Sequence, residues 1–173
     1  TGVMYLRLWV LVMLFSPALA RHLTVPFLTL ATVAVAGGTL MTRARVTTER
    51  ADSGPEPRTN PLELTSAFTF AAIFVAVLVV TRLVAERFGS AGVLVMAGIM
   101  GAADVDPFIL GLTQYAGGEL ALETAALAVV IAATANNLMK GVYAWAFGTR
   151  EAGQPAFLLL LLLGLASLGL FLV

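Results

Sequence analysis

The chain has 173 residues, 60% hydrophobic and 12% charged, with a mean hydropathy of +0.95. A soluble domain is nearer about 45–50% apolar and about 25% charged, so this composition is that of an integral membrane protein. Ten basic and ten acidic residues cancel, leaving no basic face for nucleic acid, and the absence of cysteine excludes thiol chemistry, disulfides and thiolate metal sites.

Counting spans by apolar length, at about 20 residues per crossing, predicts an all-α polytopic protein with about six transmembrane helices. The first span is Val3 to Ala20, broken only by Arg7, and Arg21 and His22 mark a short turn. His22 reads as an interfacial residue, since it has no nitrogen partners for a metal. The second span is Leu23 to Met41. Residues 43–60, RARVTTERADSGPEPRTN, form the one clearly hydrophilic loop. Asn60-Pro61-Leu62-Glu63 is a helix start, with Asn as cap, Pro at the first position and Glu to close a capping box. The third span runs from Leu64 to about Phe88, and Gly89-Ser90-Ala91-Gly92 turns the chain. The fourth region carries Asp104 and Asp106 and is expected to be interrupted near Asp104–Pro107, because Pro107 removes a backbone donor. The fifth span starts near Glu119 and runs to Phe147. Gly148 to Pro155 is a polar turn, and the last span is Ala156 to Val173. No soluble domain or internal repeat is evident: residues 1–173 read as one helical membrane domain.

Arg43, Arg45, Arg50 and Arg58 in the 43–60 loop put that loop in the cytoplasm by the positive-inside rule, with Arg21, Arg87 and Arg150 on the other side. The chain opens on Thr1 and is apolar almost at once, which suggests the C-terminal part of a longer membrane protein.

The informative feature is GAADVDP, residues 101–107, where two aspartates interrupt a stretch otherwise free of charge. A carboxylate at the bilayer centre costs about 2.5–3.5 kcal/mol on insertion scales. Asp106, directly before Pro107, has a local role as cap of a following half-helix. Asp104 has none and is the first candidate for function. A second polar string, ATANNLMK at 133–140, places Asn136, Asn137 and Lys140 near one helical face. Lys140 can snorkel, pair with Asp104 or Asp106, or line a pathway. Arg7 can snorkel or act as countercharge to the aspartates. Arg82 and Glu86 read as an intrahelical pair, and Gln114 as a hydrogen-bonding residue between helices. Small residues (Ala97, Gly98, Gly101, Ala102 and Ala103; Ala132, Ala133 and Ala135) predict close packing of segments four and five.

Four stretches, GVMYLRLWVLV (2–12), NPLELTSAFTF (60–70), RFGSAGVLVMAGIMGAADVDP (87–107) and AATANNLMKGVYAWAFG (132–148), resemble the C-terminal membrane domain of unknown function found in bacterial MgtC/SapB family proteins. The resemblance implies a bacterial inner-membrane location and a larger parent with helices before Thr1. It supplies no mechanism.

Two carboxylates and two amides offer hard oxygen ligands, suited to Mg²⁺, another hard cation or a proton. Asp104 and Asp106 are the metal ligands if there is a metal, and no other cofactor is expected. The leading expectation is a transport-type or channel-like domain handling a small ion through Asp104, Asp106, Asn136, Asn137 and Lys140, with Arg7, Arg82 and Gln114 in support. No nucleophile–base pair, metalloprotease motif or phosphate loop supports an enzyme. The rival is a structural or regulatory subunit that meets a second copy or another membrane protein, its Asp–Lys pair serving the fold. The bilayer is a partner under either reading, and nucleic acid under neither.

Overall fold

The computed structural model describes residues 2–43, 64–148 and 150–172. These form six helices: α1 (Gly2–Phe15), α2 (Pro17–Arg43), α3 (Leu64–Ala103), α4 (Val105–Tyr115), α5 (Leu122–Phe147) and α6 (Arg150–Leu172). The described residues are all-helical, without a strand. Four stretches are long and apolar enough to cross a membrane: Pro17–Thr39, Phe68–Ala103, Leu122–Phe147 and Gly153–Phe171. The chain is thus a helical membrane protein. The capping box at 60–63 and most of the 43–60 loop lie outside the described residues.

The first turn falls earlier than the charges at Arg21 and His22 suggested. Pro17 lacks an N–H and has a fixed φ, so it fits the first position of a helix and biases Ser16 away from helical angles. The Ser16 N–H donates to Val12 (2.8 Å) and its carbonyl accepts from Ala20 (3.0 Å), closing α1 and opening α2. Arg21 and His22 therefore lie inside α2. The two helices run antiparallel, with the Trp9 indole on the Thr24 hydroxyl (3.1 Å) and the Tyr5 and Phe27 rings edge to face at 5.5 Å.

Gly89 has φ +60 and ψ −152, a backbone conformation that glycine adopts without a Cβ penalty. It divides α3 into arms 64–88 and 90–103. Val80, Val84 and Phe88 of one arm share an apolar cleft with Val95, Met96 and Ile99 of the other. An unbent helix would hold Val80 and Ile99 about 28 Å apart, so the arms fold back on each other, as the expected turn at 89–92 required.

The fourth region departs from the expected crossing. Were the chain to continue straight past Ala103, Tyr115 would lie about 38 Å beyond Ser90. Instead, a Cβ on Gly111 would stand 3.5 Å from the Leu78 side chain, the Tyr115 hydroxyl donates to the Leu78 carbonyl (3.5 Å), and Glu119 reaches Arg82 (3.7 Å). Leu78 is eleven residues before Gly89, about 16 Å along the arm. The second arm of α3 and α4 are therefore the two limbs of a helical hairpin. It enters at Gly89, reverses at Asp104 and returns to the same end of the molecule. The six-span expectation is corrected accordingly: the fourth region bends back, and four stretches have the length and apolarity to cross.

Residues 116–121 make the next turn, where Gly117 has φ +85, its N–H donates to Leu120 O (2.8 Å) and Leu120 N donates to Tyr115 O (3.1 Å). α5 thus starts at Leu122, slightly after the expected Glu119. His22 lines a cavity with Gly117, Gly118 and Glu123, so the α1–α2 turn, the Gly89 bend and the 116–121 turn share one end. The opposite end receives Arg43, Leu64 and the α5–α6 junction. Arg150 therefore lies at the end where α2 finishes and α3 starts, not with Arg21 and Arg87. The expected turn at 148–155 is shorter in the structure, since α6 already begins at Arg150 with Pro155 near its start.

The core lies where α1, α2, α4 and α5 meet, around Tyr5, Leu8, Phe27, Phe108, Leu112 and Val129, all fully buried. The second arm of α3 packs on α5 at Gly101, where a Cβ would collide with the carbonyl oxygen of Ala132 and stand 2.6 Å from its Cα. The expected small-residue packing is realised there. Gly101→Val is expected to destabilise the protein by about 1–3 kcal/mol, the usual cost of overpacking. Denaturant unfolding in detergent measures this.

Candidate functional site

The hairpin tip holds its charges away from the turns at either end of the helices. Asp104 ends a limb about 21 Å long measured from Ser90, and Arg7 lies about 13 Å from Ser16 along α1, against a hydrocarbon thickness of about 30 Å.

Asp104 breaks the helix. It has extended angles (φ −143, ψ 113), and its Oδ1 accepts the Asp106 N–H at 3.2 Å. It is therefore the N-cap of α4, the role the sequence reading gave to Asp106. The reversal rests on Pro107. As the third residue of α4 it sits where helical N–H groups have no partner anyway, so the proline neither breaks the helix nor needs a cap directly before it. Both carboxylates face the positive end of the α4 dipole. An exchange of cap chemistry is measurable: Asp104→Asn should keep α4 nearly intact, while Asp104→Ala should cost about 0.5–2 kcal/mol. Amide hydrogen exchange across 105–109 reads the difference.

Asp106 Oδ2 pairs with Arg7 Nη2. Its Oδ1 is buried and has no hydrogen-bond partner among the described residues. Arg7 is thus the countercharge, not Lys140. The Lys140 ammonium instead rests 3.1 Å from the Met4 sulfur, within electrostatic reach of Arg7 and Asp106. Helical side chains lean toward their N-terminus, and Lys140 accordingly reaches away from the nearer end of α5, into the molecule. It neither snorkels to that end nor touches either aspartate.

The two asparagines diverge. Asn136 Nδ2 donates to the Gly101 carbonyl (3.1 Å), one of the last carbonyls of the first limb, which lack helical partners. Asn137 Nδ2, fully buried, donates to the Tyr5 hydroxyl (2.6 Å), which donates to Leu163 O (3.3 Å). Both Asn Oδ1 atoms are buried without partners among the described residues. Below them Thr134 bonds Ser167 (2.7 Å), tying α5 to α6.

Arg82 and Gln114 stay away from the tip. Arg82 binds Glu86 at 2.9 Å, the expected intrahelical pair, and Glu119 at the turn end. Gln114 is exposed in the last turn of α4. Among the described residues no three His, Cys, Asp or Glu side chains gather as a metal cluster. Tyr5 and Met4 escaped the sequence reading. The signal for Tyr5 was a phenol in an apolar run, whose hydroxyl needs a buried partner. Met4 gave none.

The fold and site define a polytopic helical membrane protein with a charged helical hairpin. The chain belongs to the family described as domain of unknown function (DUF4010), whose profile matches residues 1–148. It is similar to an uncharacterized protein of Aquifex aeolicus (strain VF5), 33% identical over 93 residues, or 53% of this chain. The match spans 40% of that relative's length. No solved structure matches.

Proposed function

We propose that this is a transport-type or channel-like domain that handles a small cation or a proton at the hairpin tip. The observation that carries the reading is the pair of carboxylates on a chain reversal, where Asp106 Oδ1 is buried and unpartnered and Asn136, bonded to the Gly101 carbonyl, keeps its own oxygen buried and unpartnered. Non-helical backbone at membrane depth is tolerated where it is buried in protein or lines a wet cavity. Broken half-helices meeting near the midplane are the setting of many ion-coupled sites. Asp104, exposed and with one oxygen uncommitted, meets the ion first. Asp106 is held by Arg7 and exchanges that partner for the ion, while Asn136 and Asn137 supply amide oxygens. Lys140 is a tethered competing cation. Two acids beside two bases already balance, which favours a passing ion over a resident metal. The chain acts as a carrier or pore, not as an enzyme.

Arg43 and Arg150 share one end, which we place in the cytoplasm on the count of arginines in the 43–60 sequence. A bacterial inner membrane, and a larger MgtC/SapB-type parent, follow from the resemblance of the 87–107 and 132–148 strings.

Flux into proteoliposomes, followed with proton-, Na⁺- and Mg²⁺-sensitive dyes, tests the function. Most of the flux is expected to be lost in Asp104→Asn and Asp106→Asn. Flux equal to the parent chain in both variants overturns the reading. A second reading, a structural or regulatory membrane subunit, is favoured by the direct Arg7–Asp106 contact and by the capping role of Asp104. Absence of flux with every ion would support it.

A further inference from the structure

Three formal charges are exposed between the two ends of the helices, on one linked face. The Arg7 side chain is 60% exposed, and Asp104 and Lys140 are exposed as well. They are linked: Lys140 rests on Met4, one turn before Arg7, and Arg7 holds Asp106, whose N–H is bonded by Asp104. Around Arg7 the outer face of α1 is a stripe of Val3, Val10 and Leu14, exposed by 74%, 44% and 74%. The 3-7-10-14 spacing is that of a helix-packing seam. In a bilayer apolar exposure needs no cover, but charge does.

The face is complementary to itself. Asp104 is exposed and its Oδ1 is engaged by the Asp106 N–H, and Lys140 has no carboxylate contact among the described residues. Their distances from the end shared by these turns are comparable: Met4, which holds the ammonium, is about 18 Å along α1 from Ser16, while Asp104 is about 17 Å along α4 from the 116–121 turn and about 21 Å along the other limb from Ser90. A two-fold axis along the membrane normal keeps every residue at its own depth and pairs residue i with j and j with i. We propose that this face is the interface with a second copy of the chain, in which Asp104 of each copy pairs with Lys140 of the other. The inference stands apart from the transport reading, because the charges need cover whatever they do.

The chain has no cysteine, so single cysteines report cleanly. In native membranes at low expression, Val3→Cys is expected to yield a cross-linked dimer of the chain with a short bis-maleimide. Val95→Cys, in the cleft between the α3 arms, should not. Differently tagged Asp104→Lys and Lys140→Asp chains bring like charges together twice when each is expressed alone. Mixed, they restore both pairs, so they should copurify several-fold better together than either does with itself. Three results each overturn the proposal: Val3→Cys cross-linking no better than Val95→Cys, its ready labelling by a water-soluble maleimide as in a wet vestibule, or its cross-linking to a different membrane protein. Equal recovery of mixed and unmixed chains does so too. If the charge-exchanged chains fail to accumulate, the cysteine result on the otherwise native chain decides. Absence of flux in the parent chain, with Val3→Cys cross-linking intact, would count against the transport reading alone.

Discussion

A cysteine at Gly118 is expected to react with an impermeant maleimide from the same side of the membrane as one at Ser90. A cysteine at Phe147 should react from the opposite side. Each position is exposed, and a Cβ at Gly118 has its nearest neighbour, the Tyr115 carbonyl, 3.9 Å away. The effect is all or none, because the two topologies differ by a whole crossing. If the stretch from Ser90 to Tyr115 crossed, 118 would be labelled from the side opposite to 90, together with 43–60. If it is re-entrant, 90 and 118 share a side with Arg21. The contacts of Gly111 and Tyr115 with Leu78 require the second outcome. Labelling of 90 and 118 from opposite sides would remove the hairpin, and with it the argument that Asp104 sits at a chain reversal.

Why this reversal escaped the sequence is a matter of length. The stretch from Gly92 to Ala116 carries enough apolar residues for one crossing, and hydropathy cannot tell a single pass from two short limbs. The local signals were present. Gly89 marked its bend correctly, because positive φ favours glycine whatever the surrounding topology. Gly101 was legible as a small residue in a crowded run, though not that it would meet Ala132 backbone to backbone. The charged residues were legible as a set, since charge inside an apolar chain is conspicuous, but their pairing was not. Which cation meets Asp106 depends on how α1 lies against α4, a tertiary fact with no periodic trace. The cap was misassigned for a different reason: a proline can occupy any of the first helical positions, so it fixes the start of a helix only to within a turn.

The Arg7–Asp106 pair supplies the sharpest separation of fold from function. Arg7→Met is expected to destabilise the chain by about 1–3 kcal/mol, the usual cost of leaving a buried acceptor unsatisfied, because Arg7 is more than half exposed while Asp106 Oδ1 is buried without a partner. Asp106→Asn should cost less. It leaves an arginine that can swing its long stem toward the turn end, about 13 Å away along α1, whereas Arg7→Met leaves a short carboxylate with neither oxygen satisfied. The double variant Arg7→Met with Asp106→Asn should recover most of the loss, because the remaining groups are neutral. Detergent unfolding of the four chains gives the coupling energy directly. Near-zero coupling would mean that the contact contributes little to the fold. Function then divides the readings. A structural pair is replaceable, so the recovered double variant should keep whatever activity the parent chain has. A carboxylate that trades Arg7 for a passing ion is not replaceable, and the same stable double variant should carry no flux.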